Sequence, residues 1–199
     1  MLHFTYHEEK PGKPNKMGGM MSLNTSSHNN PFCVRMHGNK KSVCRACYSW
    51  TLEAFYEKQL AHYLISNGDI LSTTIMEGVP ILDRLYCRFN SFGELLNKTH
   101  YHNLLGIVDA NPQTTFALWT KRLDIVKNPA KRDNLIYIYS SPIKNVEARL
   151  PKGFDKVFTV YSKPFIRENS VAVNCAKHCK TCLLCYTKNN TAFIKEEMR

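Results

Sequence analysis

Short apolar runs rich in β-branched and aromatic residues recur along the chain, and polar residues separate them. This pattern is typical of buried strands. It predicts a short strand at 20–24 and further strands at 81–89, 115–119, 135–139, 157–161 and 171–173.

Amphipathic segments lie between the predicted strands. One helix is predicted to end at Asn67-Gly68, and its apolar positions at helical spacing are Leu52, Phe55, Tyr56, Leu60, Tyr63 and Leu64. A second helix is predicted over 91–105, a short helix or turn over 123–127 and a helical turn near 146–150. Strands that alternate with helices indicate an α/β fold with a parallel sheet, and right-handed crossovers would curl it into a complete or partial (βα) barrel.

The chain of 199 residues is long enough for one domain with a substantial core. We divide it into an irregular N-terminal arm over 1–32, an α/β core over 33–174 and a cysteine-rich C-terminal segment over 175–199. Within the core, the stretch 33–47 is predicted to be a loop.

Small polar or charged residues follow each strand predicted within the core. They are Asn90-Ser91, Thr120-Lys121, Ser140-Ser141, Ser162-Lys163 and Asn174-Cys175. In parallel α/β folds the carboxyl ends of the strands form the functional face. These residues therefore predict a site at that edge, or they simply mark loops.

Four cysteines lie within one eleven-residue stretch, and they are Cys175, Cys179, Cys182 and Cys185. Tetrathiolate zinc sites usually join two Cys-x2-Cys pairs through a longer spacer. Short spacers of two and three residues are instead typical of iron–sulfur proteins. The run predicts a [4Fe-4S] cluster, with zinc or unligated thiols as alternatives, and His178 inside it is not needed as a ligand.

A second group of cysteines comprises Cys33, Cys44 and Cys47. Three cysteines on a four-iron cluster would leave one iron open to a substrate or cofactor. A fourth ligand from elsewhere would close the site, although Cys87 lies within a predicted strand and suits the core. The two groups of cysteines could also share one centre.

Composition and charge limit the cellular setting. The formal net charge of +11 favours nucleic acid or an anionic substrate, or reflects basic residues spread over the surface. No apolar stretch approaches the ~20 residues that span a bilayer, and the polar N-terminus has no signal peptide. We expect a cytoplasmic protein without a membrane partner, in a reducing compartment where closely spaced cysteines bind metals.

Four segments resemble the gene product 88 family of phage and plasmid proteins. They are CRACY at 44–48, LYCRFNSFGEL at 85–95, TTFALWTKR at 114–122 and CAKHCKTCLLCY at 175–186. The chain departs from the family at Phe92-Gly93-Glu94, where members usually have Ser-Gly-Asp. If the protein is phage-encoded, its location would be the host cytoplasm.

That family is similar to the radical SAM enzymes, which implies a radical-SAM-like core. By this resemblance Cys33, Cys44 and Cys47 would hold a [4Fe-4S] cluster whose open iron binds S-adenosylmethionine. Gly93 and Glu94 would contact that cofactor, and the C-terminal cysteines would hold an auxiliary cluster. Such chemistry requires an electron donor such as a ferredoxin or flavodoxin.

Some of these residues have a second interpretation. Ser91 and Glu94 form a Ser-x-x-Glu capping box, which satisfies free amides at a helix start without any cofactor. Thr120 and Lys121 would contact a carboxylate or phosphate, or they are a solvated strand end. The ten-residue spacer after Cys33 also differs from the three residues usual in radical SAM enzymes.

Three functions follow as hypotheses, and none identifies catalytic residues. The first is a radical SAM enzyme. The second is a redox, sensing or structural iron–sulfur protein that has lost S-adenosylmethionine binding. The third is a zinc- or cluster-stabilised protein that binds nucleic acid through its charge and through Tyr48, Trp50, Tyr101 and Trp119.

Overall fold

The computed structural model describes residues 1–9, 12, 15–175 and 178–198. Within them the strands are β1 (Phe4–His7), β2 (Met20–Leu23), β3 (Tyr86–Phe89), β4 (Thr115–Thr120), β5 (Leu135–Ser140), β6 (Lys156–Tyr161) and β7 (Phe193–Glu197). The helices are α1 (Pro31–Gly38), α2 (Tyr48–Phe55), α3 (Glu57–Thr73), α4 (Lys98–Ala110), α5 (Lys163–Asn169) and α6 (Cys179–Cys182), with a short 3-10 helix at Val43–Ala46.

The described strands form one seven-stranded sheet whose spatial order equals their order along the chain. Only β1 and β2 pair antiparallel, and every later neighbour pairs in parallel. The prediction of an α/β fold with a mostly parallel sheet is therefore confirmed, and the sequential order is compatible with a partial βα barrel.

Apolar side chains cover both faces of the sheet. On one face, Phe89, Phe116 and Leu118 pack with residues of α4 such as Leu104 and Val108. The opposite face carries its own cluster, formed by Met20, Ala117, Trp119, Ile136, Ile138, Phe158, Tyr186 and Ile194. Such coverage on both faces explains why the strands are continuous apolar runs.

The helix predicted over 91–105 begins later than expected. Asn97 is the N-cap of α4, because its side chain accepts a 2.9 Å bond from the His100 amide. The stretch 91–97 is a loop, so the predicted capping box at Ser91 and Glu94 does not form. Its place is taken by a network around Glu94 that is described below.

The region 33–73 contains more helix than predicted. The stretch 33–47, predicted as a loop, contains α1 and the 3-10 helix. The helix predicted to stop at Asn67-Gly68 continues to Thr73 in α3, after a break from α2 near Tyr56. Tertiary contacts override the stop signal, since the Asn67 side chain donates to the carbonyls of His3 and Asn24.

The strand predicted over 81–89 is limited to β3. Its first part is held outside the sheet by Asn111, whose side chain donates 2.8 Å to the Pro80 carbonyl and accepts 2.6 Å from the Leu82 amide. No helical turn forms at 146–150, whereas 123–125 is the expected turn. None of the helices in the described ranges is long and apolar enough to cross a membrane.

The C-terminal strand differs most from the prediction. No strand forms at 171–173, and the last strand is instead β7, which lies after the cysteines. The stretch 174–175 bonds alongside β7, because the amides of Asn174 and Cys175 both donate to the Lys195 carbonyl at 3.1 and 3.0 Å. The arm over 1–32 also contributes β1, which sequence reasoning did not predict.

Candidate metal centres

Glu94 is the centre of a buried hydrogen-bond network at the carboxyl ends of β3 and β4. Its Oε1 accepts from the Thr120 hydroxyl at 2.7 Å and the Leu95 amide at 2.9 Å. Its Oε2 accepts from the Lys121 amide at 2.7 Å. Burial raises the pKa of Glu94, while the charge of Lys121 and these donors act in the opposite direction. The carboxylate therefore joins the ends of two neighbouring strands.

Gly93 lies against the loop that follows β2. Its φ of +72° is in the left-handed region, and a Cβ there would lie 2.4 Å from both the carbonyl and hydroxyl oxygens of Thr25. The Gly93 amide donates to the Ser27 hydroxyl at 3.2 Å. Gly93 and Glu94, predicted to contact a cofactor, thus both bind neighbouring loops in this structure.

The loop after β2 is a part of the site that sequence reasoning missed. Asn24, Thr25, Ser26 and Ser27 are all buried although all are polar. The Ser26 hydroxyl and the Ser27 amide donate to the Glu53 carboxylate, which projects from α2. A run of small polar residues directly after the strand predicted at 20–24 was the signal that could have revealed it.

Asn30 connects this loop to the first cysteine. Its Oδ1 accepts from the amides of Phe32 and Cys33 at 3.0 and 3.3 Å, which caps α1. Its Nδ2 donates to the Glu94 carbonyl at 2.7 Å. The position of Cys33 in the first turn of α1 is therefore fixed relative to the network around Glu94.

The other two N-terminal cysteines lie beyond the end of β5. Cys44 is in the 3-10 helix, whose N-cap is Ser42, and Cys47 directly precedes α2. Ser42 forms an isolated bridge with Ile143, which anchors this segment to the residues that follow β5. The N-terminus of α2 points its positive end towards Cys47, and such an end favours negative charge.

Lys121 joins the three N-terminal cysteines electrostatically. Its ammonium group donates to the Ser140 hydroxyl at 3.0 Å. Burial lowers the pKa of Lys121, but Cys44, Glu94 and the other two cysteines outweigh it, so the net shift is upward. Burial also raises the pKa of Cys33. The Lys121 ammonium thus interacts electrostatically with all three cysteines at the carboxyl edge of the sheet.

The four C-terminal cysteines line a single cavity together with Leu184 and Tyr186. All four are half-buried, and Cys175, Cys179 and Cys185 pack against the apolar cluster on one face of the sheet. Tyr186 anchors the segment, since its ring packs edge-on against Tyr86 at 5.4 Å between centroids. Burial raises the pKa of Cys185 to about 12, so a metal would have to displace its proton.

Two cations face this second group. The Lys16 ammonium donates to the Cys175 sulfur at 3.2 Å. Arg88 projects from β3, lies 4.0 Å from the centroid of the Trp119 ring and lowers the pKa of Cys179 against the larger effect of burial. Positive charge beside thiolates favours an anionic metal centre.

The two groups of cysteines occupy different places on the sheet. The N-terminal group lies at the carboxyl edge. The C-terminal group was expected at the same edge through Asn174-Cys175, but Cys175, Cys179 and Cys185 pack on a face of the sheet, with Cys175 beside β7. Burial lowers the pKa of Lys156 at the start of β6, and Cys185 opposes this shift. The main electrostatic partners of Cys33 and Cys175 include no cysteine of the other group.

Cys87 stands apart from both groups. It is fully buried within β3 and belongs to the apolar core. The interpretation of Cys87 as a core residue is therefore confirmed. It also serves as an internal reference thiol for experiments on the other seven cysteines.

No group of three or more His, Cys, Asp or Glu side chains within the described ranges is arranged to hold one metal ion. Searches against family models, curated proteins and solved structures find no match for this chain.

Proposed function

We propose that this protein binds two iron–sulfur clusters, and that the cluster at Cys175, Cys179, Cys182 and Cys185 is the closed one. The observation that carries the proposal is that these four thiols line one cavity. Lys16 and Arg88 supply positive charge beside it. Iron–sulfur clusters are held by four cysteine thiolates in this way.

The second cluster would be held by Cys33, Cys44 and Cys47, with one iron open to a small molecule. Support comes from Lys121, which interacts electrostatically with all three cysteines and would provide a charge for an anionic ligand. The resemblance to the gene product 88 family makes S-adenosylmethionine the first candidate ligand. When bound there, it would supply reductive radical chemistry driven by an external electron donor.

In this proposal the protein residues bind the ligand and orient it. Lys121 would hold a carboxylate or phosphate of the ligand, and Ser140 would fix the ammonium through its 3.0 Å bond. Glu94 would act through the protein rather than on the ligand, because both of its oxygens already accept protein hydrogen bonds. Thr120 has the same role, since its hydroxyl donates to Glu94.

Two of the four aromatic residues that were expected to bind nucleic acid are buried. Tyr101 and Trp119 are each only 7% exposed, so neither ring is accessible for stacking on a base. Tyr48 is exposed and Trp50 is half-buried, so these two remain the residues through which that function would act.

The direct test is the iron and sulfide content of protein purified without oxygen. We expect a brown protein with two clusters per chain and an electron paramagnetic resonance signal after reduction. Cys182→Ala should lose about half of the iron, since each cluster depends on its own ligands. The matched control Cys87→Ala should keep all of it. A colourless protein that contains stoichiometric zinc would refute the proposal.

A second measurement separates an enzyme from a redox or structural protein. The reduced protein is incubated with S-adenosylmethionine, and 5′-deoxyadenosine is measured. The enzyme hypothesis is supported if this product forms in the wild type and in Cys87→Ala but not in Cys44→Ala. A fully loaded protein that neither binds nor cleaves the compound supports the non-catalytic alternative.

A further inference from the structure

Lys16, in the arm before β2, contacts two of the C-terminal cysteines. The carbonyl of Lys16 accepts a 2.8 Å bond from the Cys179 amide. The Lys16 ammonium donates to the Cys175 carbonyl at 3.1 Å and to the Cys175 sulfur at 3.2 Å, and it also pairs with Glu196. Lys16 therefore contacts the segment through both its backbone and its side chain.

Neighbouring residues hold the arm in this position. The Gly19 amide donates to the His7 carbonyl in β1 at 2.7 Å, and Gly19 has a φ of +75°. A Cβ at Gly19 would lie 2.8 Å from the side chain of Lys180, which itself pairs with Glu9 at 3.1 Å. Close packing of backbone against the cysteine segment keeps the Lys16 ammonium at the sulfur.

The location of this ammonium has a consequence for redox chemistry. Reduction adds negative charge to a cluster, and hydrogen bonds to its ligand sulfurs are among the features that set its potential. The Lys16 side chain is only 20% exposed, so water screens its charge weakly. Both its charge and its hydrogen bond stabilise the reduced state more than the oxidised one.

We infer that Lys16 is a positioning residue that raises the reduction potential of the C-terminal cluster. It acts through the Cys175 sulfur and contacts no substrate. The inference rests on the proposed function, because it requires a cluster at Cys175, Cys179, Cys182 and Cys185. It gives a role to an arm that the sequence pattern left irregular.

The test is a redox titration followed by electron paramagnetic resonance on the full-length, cluster-loaded protein. Lys16→Met removes the charge and the donor. At a fixed potential we expect at least a tenfold lower ratio of reduced to oxidised C-terminal cluster, which is a downward shift of about 59 mV for one electron. Lys16→Arg should restore most of the wild-type potential, and the N-terminal cluster should not shift.

Lys180→Met is the matched control. It removes the same charge at a position that lies between Cys179 and Cys182 in the sequence. The Lys180 side chain, however, is 52% exposed and pairs with Glu9. We expect its shift to be less than a third of that caused by Lys16→Met. An equal shift in the two variants would show that only net charge matters and would overturn the inference.

The outcomes separate the inference from the proposed function. Wild-type protein without iron and sulfide refutes both. Loaded wild type and loaded Lys16→Met with equal potentials refute the role of Lys16 alone. If Lys16→Met does not retain iron, Lys16→Gln decides, since it keeps a donor but loses the charge. Its potential must then lie below that of Lys16→Arg, and equal potentials would overturn the inference.

Discussion

The Lys121 amide donates a 2.7 Å hydrogen bond to Oε2 of Glu94, which ties the residue after β4 to the loop after β3. The ammonium of the same lysine bonds to Ser140, and Cys44, Cys47 and Cys33 raise its pKa against the effect of burial. The buried carboxylate therefore fixes the base of a side chain whose charge acts on the N-terminal cysteines. Fold stability and site geometry depend on the same contact.

Glu94→Gln should destabilise the fold by about 3 kcal/mol. The amide nitrogen of glutamine is a donor, so it would face the Thr120 hydroxyl or the Lys121 amide and leave a buried group unsatisfied. Urea unfolding gives the free energy of unfolding. The control Glu57→Gln is exposed at the start of α3 and should change it by less than about 0.5 kcal/mol. Equal stabilities of the two variants would contradict this account.

Gly93→Ala should also destabilise the fold by about 3 kcal/mol. The new Cβ would clash with Thr25 at 2.4 Å, and the φ of +72° disfavours any side chain. Gly78→Ala is the control, because no atom lies within 4 Å of a Cβ built there. The melting temperature of Gly93→Ala should be clearly lower than that of Gly78→Ala. Similar melting temperatures would show that the loop after β2 can move to accommodate the new Cβ.

Lys121→Met should weaken metal binding at the N-terminal cysteines and leave the C-terminal ones loaded. Loss of a residue beside metal ligands typically costs 10- to 100-fold in metal affinity. We expect the iron content to fall by about half after dialysis against a chelator. Lys127→Met, at an exposed position nearby, should retain the wild-type content. Full iron retention by Lys121→Met would show that this lysine does not contribute to metal binding at the N-terminal cysteines.

Stability should fall in acid partly because of His100. Burial lowers the pKa of His100 to about 3 from the ordinary 6.5. Between these values the unfolded chain binds a proton that the folded chain does not. The free energy of unfolding therefore falls as the pH falls, by up to about 1.4 kcal/mol per pH unit.

The measurement is urea unfolding at pH 7 and pH 5. His100→Gln keeps an acceptor for the Leu96 amide and cannot titrate, so it should lose about 2 kcal/mol less than wild type between these values. His102→Gln, exposed on the same helix, should behave like wild type. A wild-type loss that persists in His100→Gln would assign the acid sensitivity to other groups.

The central strands could be predicted because their residues carry the signal themselves. The prediction was good for β4, β5 and β6, where continuous apolar runs are buried on both faces. The sequence FIKEE of β7 has no such signal. Its strand conformation depends on pairing with β6 in a particular register, which is a tertiary property.

The candidate site could be predicted only in part, for a similar reason. Close spacing identified the cysteines as ligand candidates, since nearby residues share a loop. Lys16 and Cys175 are 159 positions apart, so only the fold brings their side chains together. The role of Glu94 was also hidden, because its partner Thr120 lies at the end of a different strand.

The position of β7 after the cysteine segment constrains the order of events during synthesis. On the ribosome, all four C-terminal cysteines emerge before the strand that pairs with β6. Until then β6 has an unpaired edge that can aggregate. The nascent chain thus contains all four C-terminal thiols before Phe193–Glu197 can pair with β6 and cover its edge.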